Sequence, residues 1–363
     1  MNEVNDEFER VWRNIYNNVN PSISVSDVQT VLGVYDQKPF NEKRTYQQNW
    51  AVYEKAMSQE KLMFFRILKD AVDYLNIDYE YKGNGRPPVD YADIIKSLCI
   101  RIYSNYSSWR AESELRITKA MGIISIVHRK STLNKYLQDP KTAKLLHQLY
   151  KIIAEPLADV EVYFAADATG ISNRYGNTRW IKIRHTKEET RQRKDYSKLH
   201  IITGIKTNVI CSAKITEGTA HESPFFKPLL DDTAKIFTIK ELSADAGYLS
   251  KDNAKAVAKA GGIPFIMGKK NASVPSTGRM SAWGAMLNLW KHQQMLFAQH
   301  YHRRSNVEST FSMIKRKFGD FCRSKLPQSQ ENEILCKIVC HNAVVLAEAL
   351  LSYDLRKGFM AGL

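Results

Sequence analysis

The sequence lacks the cysteine pattern of a disulfide framework or a zinc knuckle. Its five cysteines, at 99, 211, 322, 336 and 340, are odd in number and contain no Cys-x-x-Cys pair. Cys336 and Cys340 stand four apart beside His341, where a shared metal is conceivable. Ile334, Leu335, Ile338, Val339 and Val344 instead imply a helix on which both are small apolar residues. No unbroken apolar run reaches the roughly 18 residues of a membrane span. The opening Met1-Asn-Glu-Val-Asn-Asp is acidic and polar, so no secretory signal is expected and the cytoplasm is the expected compartment. A Gly-x-x-x-x-Gly-Lys loop is missing, as is any persuasive Ser-His-Asp or Cys-His arrangement, which disfavours P-loop chemistry and covalent catalysis. No internal repeat points to a solenoid.

Acidic residues are also short. Asp and Glu number 38 against 53 Lys and Arg, a formal net charge of +15, with clusters at Arg191-Gln-Arg-Lys194 and Lys315-Arg-Lys317. A polyanionic partner follows, because Lys and Arg gain affinity for phosphates by releasing counterions.

Hydrophobic periodicity divides the 363 residues into three regions. Residues 1–155 read as mostly helical, with amphipathic stretches over Leu62–Leu75 and Tyr91–Tyr103 and a break at Gly83-Asn-Gly-Arg-Pro-Pro88. Within them, a helix, the Ala120-Met-Gly122 turn and a second helix capped by Ser131 form either a helix-turn-helix or an ordinary helical hairpin. The first reading turns Arg129, Lys130 and Lys135 toward DNA.

Residues 156–325 change character at Val160-Glu-Val-Tyr-Phe-Ala-Ala-Asp167, a strand by its β-branched and aromatic content. Strands over Lys198–Lys206 and Val209–Thr216, joined at Thr207-Asn208, come next. They are followed by a helix over Ser223–Lys235, a strand over Thr238–Ala244, a helix over Lys251–Ala260 and a strand over Ile263–Met267. This order belongs to an α/β sheet. From Ser281 the chain reads as helical, punctuated at Gly319 and Pro327, with residues 326–363 forming a C-terminal helical segment. Trp283 and Trp290, seven apart, read as a core stripe.

The strongest chemical signal starts at Tyr301. At about 100° per residue, Arg304, Glu308 and Lys315 fall within about 60° of Tyr301, beside an apolar stripe of Val307, Phe311, Ile314 and Phe318. Either Glu308 projects toward a catalytic centre flanked by phosphate-holding cations, or this edge is a solvated face of paired charges. Asp167, before Ala-Thr-Gly170, and Asp245, in Ser243-Ala-Asp-Ala-Gly-Tyr248, each fall at the end of an expected strand, where α/β sheets place ligands. Each is otherwise a turn residue. Carboxylates of this kind suit Mg²⁺ or Mn²⁺ and leave positions open for water and phosphate oxygens. With two ions, one activates the attacking oxygen and the other stabilises the leaving one. Asp231 and Asp232, beside Lys227 and Lys235, suit surface pairing better. Lys269 and Lys270, Arg184 and Lys198 are further phosphate clamps or solvated loop charges.

Tyr301, two residues, Arg304, three residues, Glu308, six residues, Lys315 resembles the Tyr-Arg-Glu-Lys signature of insertion-sequence DDE transposases. Asp167 in Ala-Asp-Ala-Thr-Gly resembles that family's first aspartate and Asp245 in Ala-Asp-Ala-Gly-Tyr its second. Lys198-Leu-His200 and His221-Glu-Ser223 are additional likenesses, and the resemblance spans roughly residues 87–350, with Gly85-Arg-Pro-Pro88 resembling the family's entry into its helical region. It implies a ribonuclease H-like mixed sheet flanked by helices, a helical N-terminal DNA-binding region and a helical C-terminus. It also implies ligation of two Mg²⁺ or Mn²⁺ ions by Asp167, Asp245 and Glu308, and phosphate contacts from Arg304 and Lys315 with Tyr301 positioning the strand. Lys198, His200, Lys269, Arg129 and Lys130 are the other expected DNA contacts. The implied reaction is cleavage at terminal inverted repeats and joining of 3′-hydroxyls to target double-stranded DNA by a homodimer on a prokaryotic nucleoid. A domesticated DNA-binding protein that no longer cuts, and a nuclease that does not rejoin, are the alternatives. Only 62 residues separate Asp245 from Glu308, too few for a large inserted β-domain. Glu222 stands where relatives carry Asp.

Overall fold

The computed structural model describes residues 50–77, 84, 89–173, 196–269, 271–274, 281–353, 355 and 359. Residues 1–49, the Gly83–Pro88 break apart from Asn84, Arg184, Arg191–Lys194 and Lys270 lie outside the described residues.

The N-terminal region is helical as expected. Helices α1 (Trp50–Tyr74), α2 (Tyr91–Tyr103), α3 (Ala111–Ala120), α4 (Lys130–Leu137) and α5 (Pro140–Ala154) precede the sheet. Asp90 starts α2 by accepting from the Ala92 amide at 2.9 Å. Asp139 does the same for α5 through Lys141, with Pro140 in the first turn, where its missing N–H costs nothing. The turn between α3 and α4 differs from the expectation. It runs from Met121 to Arg129, well beyond the three or four residues of a helix-turn-helix. Asp93 shapes this connection by accepting from the Ser125 and Ile126 amides at 2.9 and 3.0 Å, and Gly122 takes the left-handed conformation at φ 71°. Arg129, not Ser131, occupies the cap position of α4, without a side-chain cap.

Five strands follow in the expected sequence: β1 (Tyr163–Ser172), β2 (Tyr196–Gly204), β3 (Ile210–Glu217), β4 (Glu241–Ala244) and β5 (Ile263–Ile266). Helices α6 (Ser223–Ala234) and α7 (Lys251–Lys259) separate the last of these. The sheet order is β3-β2-β1-β4-β5. β1 pairs antiparallel with β2 and β2 with β3, whereas β1 with β4 and β4 with β5 are parallel. β1 continues past Asp167 to Ser172, because β2 offers it a ladder from Phe164↔Gly204 to Ser172↔Tyr196. Ala-Thr-Gly170 is therefore strand rather than turn.

After β5 come α8 (Ala282–His292), α9 (Gln294–Tyr301), a short 3₁₀ turn over His302–Arg304, α10 (Ser305–Phe318) and α11 (Pro327–Ser352). Trp283 and Trp290 pack against the core, as expected of a stripe. α11 is long and apolar enough to cross a membrane by length and composition, but most of it lies inside the core, packed on α1, α2, α5 and β3. Cys336 and Cys340 are buried on it, and the Cys340 thiol reaches the Cys99 carbonyl at 3.2 Å. Its polar residues tie the layers together. Asn342 accepts from the Ile210 amide at 2.9 Å and donates to the Ile210 and Tyr150 carbonyls at 2.8 and 3.0 Å. Lys337 donates to the Gly319 and Phe321 carbonyls, both at 2.7 Å. One hydrophobic cluster, from Phe64 on α1 to Ala349 on α11, joins the helices to the sheet.

Candidate active site

The two aspartates meet through strand register. The parallel ladder between β1 and β4 ends at Ala166↔Ala244, and the next residue on each strand is an aspartate. Asp167 lies mid-way along β1, yet at the carboxyl end of its parallel pairing; Asp245 follows β4 directly. The two carboxylates thus project side by side where an open α/β sheet presents ligands. Asp167 accepts from the Ala168 amide at 2.8 Å and Asp245 from the Ala246 amide at 2.6 Å, which fixes one oxygen of each. Burial raises the Asp167 pKa, opposed by the Ala168 amide and Arg304 and reinforced by the charges of Asp245 and Glu222.

Glu308 arrives from a different element. The expected continuous helix from Tyr301 is broken, since α9 ends at Tyr301 and the 3₁₀ turn re-aims the chain before α10 starts at Ser305. α10 keeps its expected apolar stripe, with Val307, Phe311, Ile314 and Phe318 all buried. Packing against β1 through that stripe sets Glu308 in the first turn of α10 with its carboxylate mostly in solvent. Arg304 spans the gap. Its Nη1 donates to Asp167 Oδ2 at 2.6 Å and its Nη2 to Glu308 Oε1 at 3.1 Å, a forked geometry that a guanidinium supplies and an ammonium does not. Lys315, almost two turns further along α10, donates to Thr169 Oγ1 at 2.6 Å, and burial lowers its pKa. Tyr301 is 9 % exposed, stacked on Phe297 and 5.8 Å from the Arg304 guanidinium.

Behind the aspartates lies a second charged layer. Glu222, just before α6, pairs with Lys198 on β2 at 2.7 Å. Its other oxygen lies so close to Gly247 that a Cβ there would come within 2.5 Å. The Tyr248 hydroxyl is buried without a hydrogen-bond partner, and burial raises its pKa together with the charges of Glu222, Asp167 and Asp245. Below, Glu241 accepts from His300 Nδ1 and the Arg303 guanidinium, both at 2.9 Å, and anchors the segment that leads into Arg304. Thr169 and the Glu241–His300–Arg303 cluster escape a reading of the sequence, because their partners are distant in the chain and no spacing marks them.

The remaining expected contacts are dispersed. His200 is fully buried, bonded through Nε2 to Thr216 at 2.9 Å and packed on Phe225. Its place in the sheet faces it away from solvent. Lys269 is exposed beyond β5. Arg129 is exposed and Lys130 lies over the Trp109 ring, both on the α3–α4 side of the molecule. Asp231 and Asp232 pair with Lys227 at 3.5 Å and with Lys151 and Lys235 at 2.8 and 2.7 Å. His341 bonds the Asn208 carbonyl.

Oxygen donors of this type fit a hard divalent cation. Among the described residues, however, no three His, Cys, Asp or Glu side chains gather closely enough to hold one. The positive charge between Asp167 and Glu308 is that of Arg304.

No curated protein and no solved structure matches the chain. The family model described as transposase DDE domain matches residues 160–343, just over half of the sequence, from the start of β1 through the middle of α11. With both aspartates, Glu308 and the sheet that aligns them inside that span, the chain belongs to the transposase DDE domain family.

Proposed function

We propose that the chain is the transposase of an insertion sequence, which binds the terminal inverted repeats of its element, cleaves there and joins the freed 3′-hydroxyls to target double-stranded DNA. The observation behind this reading is the parallel register that ends at Ala166↔Ala244 and sets Asp167 beside Asp245, with Arg304 joining Asp167 to Glu308. The β3-β2-β1-β4-β5 order, with antiparallel strands on one side of β1 and parallel strands on the other, supports a ribonuclease H-like sheet. A division into a DNA-binding region over 1–155, a catalytic region over 156–325 and a C-terminal helical segment over 326–363 goes with it. So do a homodimer, needed to bring two DNA ends together, and a cytoplasmic, nucleoid-associated setting.

Asp167, Asp245 and Glu308, which do not gather around one point in the free protein, would hold two Mg²⁺ or Mn²⁺ ions with DNA bound. When bound, such ions activate the attacking oxygen and neutralise the leaving one. The side chains do the rest. Asp167 and Asp245 each have one oxygen fixed by a backbone amide, and Arg304 holds the second oxygen of Asp167. Arg304 balances Asp167 and Glu308 in the free protein. When DNA arrives, it turns its fork to a phosphate, where planar bidentate bonding suits a phosphodiester. Lys315, tethered to Thr169, adds a second cation on the same edge, and Tyr301 packs beside the strand near the cut. Lys198 with Glu222 buttresses the Asp245 turn from below. Lys269, Arg129 and Lys130 extend the phosphate contacts over the surface, while His200, buried under Phe225, supports β2.

Strand transfer with precleaved ends of the flanking inverted repeats tests the reading. Asp167→Ala, Asp245→Ala and Glu308→Ala should each abolish joining in Mg²⁺ while leaving end binding in EDTA. Joining that survives in all three overturns the proposal. Cleavage without joining points to a nuclease, and DNA binding without cleavage by the parent chain to a non-cutting DNA-binding protein.

A further inference from the structure

A second basic feature lies in the helical region. A cleft of about 500 Å³ opens between α2, the loop before α3, α4 and the segment that joins α10 to α11. Arg101, Lys130, Arg323 and Lys325 line it, and among the described residues no acidic side chain does. Trp109 forms part of its wall and is 72 % exposed, far more than a packed tryptophan.

Arg101 is the unusual member. It is 4 % exposed, and its Nε and Nη1 have no hydrogen-bond partner. A buried guanidinium with unbonded donors is costly unless something supplies acceptors. The charge of the buried Glu333 acts on Arg101 but leaves its Nε and Nη1 unbonded. The Glu333 oxygens are taken by the Arg323 and Ser324 amides at 2.8 and 3.0 Å and by the Ser324 hydroxyl at 2.6 Å. Those bonds instead fix the loop that carries Arg323 and Lys325 to the cleft. Arg323 is further held by Asn105 at 3.0 and 3.2 Å. The Lys130 ammonium lies 4.4 Å from the Trp109 ring centre. Cations and an open aromatic surface therefore stand in one concavity, anchored from behind.

A phosphate would satisfy Arg101, and a base would cover Trp109. A base paired inside a duplex presents only its edges, so stacking on Trp109 requires an unpaired nucleotide. We infer that this cleft binds single-stranded DNA, seating a phosphate on Arg101 and stacking an unpaired base on Trp109. The inference rests on the DNA-processing reading above but assigns a separate site, remote in sequence from the carboxylates, for a strand flanking the cut.

Fluorescence anisotropy of the full chain in EDTA, with a labelled short oligothymidine and a duplex of equal length, tests it. Trp109→Ala should weaken oligothymidine binding about tenfold, the value of one stacked base, and leave duplex binding within about twofold. Lys325→Glu, on an exposed loop, should weaken it several-fold and lower the salt slope by about one. Arg101→Gln should weaken it further, and its melting temperature tells whether the buried change has unfolded the chain. Oligothymidine binding unchanged in both Trp109→Ala and Lys325→Glu overturns the inference. So does a parent chain that binds duplex but not oligothymidine, a result that leaves the transposase reading intact. Loss of strand transfer in the parent with oligothymidine binding retained would sink that reading and spare this one.

Discussion

In the free protein Arg304 bonds Asp167 and Glu308 together, and each contact uses a different nitrogen of one fork. Arg304→Lys should therefore fail to restore activity. A single ammonium cannot span both carboxylates, and we expect strand transfer to fall by at least about tenfold in both Arg304→Lys and Arg304→Ala. Equal activity of the lysine variant and the parent would show that charge alone suffices. Burial dominates elsewhere. His341 is 2 % exposed, and burial holds its pKa at about 4, below the roughly 6.5 of an unfolded chain. Above pH about 6.5 the ring is neutral in both states and costs nothing. As pH falls, the unfolded chain takes up the proton first, so stability declines until the folded-state value of about 4 is passed. Between pH 7 and 5 the parent should lose roughly 2 kcal/mol more than His341→Gln, read from urea midpoints at each pH. An equal loss in both proteins would remove His341 as the titrating group.

At the scale of elements, α11 is held by side chains as much as by apolar packing. Asn342 makes three bonds to the edge of β3 and the end of α5, so Asn342→Leu strips the Ile210 amide and carbonyl of partners inside the core. A loss on the order of 3 kcal/mol is expected in thermal or urea unfolding. Gly204 is a similar point in β2. Glu161, fully buried, accepts from the Lys206 and Thr207 amides across the β2–β3 turn, and a Cβ at Gly204 would meet its carboxyl at 2.4 Å. Gly204→Ala should lower the melting temperature by several degrees, because the backbone turn and the buried carboxyl cannot both stay in place. Period and composition made most elements legible. The strands over 196–217, helices α6 and α7, β5 and the stripe of α10 fall within a residue or two of their sequence assignment. What local pattern could not show was long-range. β1 extends past Asp167 because β2 pairs with it, and at the break over His302–Arg304 Glu241 pairs with Arg303 from a separate strand. Asp167 and Asp245 were visible one at a time, but only the parallel register makes them neighbours.

The whole molecule carries +15, and its cations are spread over the α3–α4 side, the α10 edge and the loop beyond β5. DNA affinity should fall steeply with salt, with a log–log slope near −0.9 for each phosphate contact made by Lys or Arg. Removing Lys315 by alanine substitution should flatten that slope by about one and lower duplex affinity to the same degree on any sequence. A sequence-selective loss would argue for base reading at that position instead.

α11 also decides when the fold can exist. Its inner face closes against α1, α2 and β3, which precede it in the chain, and Asn342 bonds both α5 and the sheet edge. Until Val339 to Ala349 has left the ribosome, the helices and strands before it have an open apolar face and unpaired backbone at β3. The nascent chain thus commits to a folded state only once α11 has emerged, and a message cut short before α11 should yield aggregated protein rather than a smaller working one.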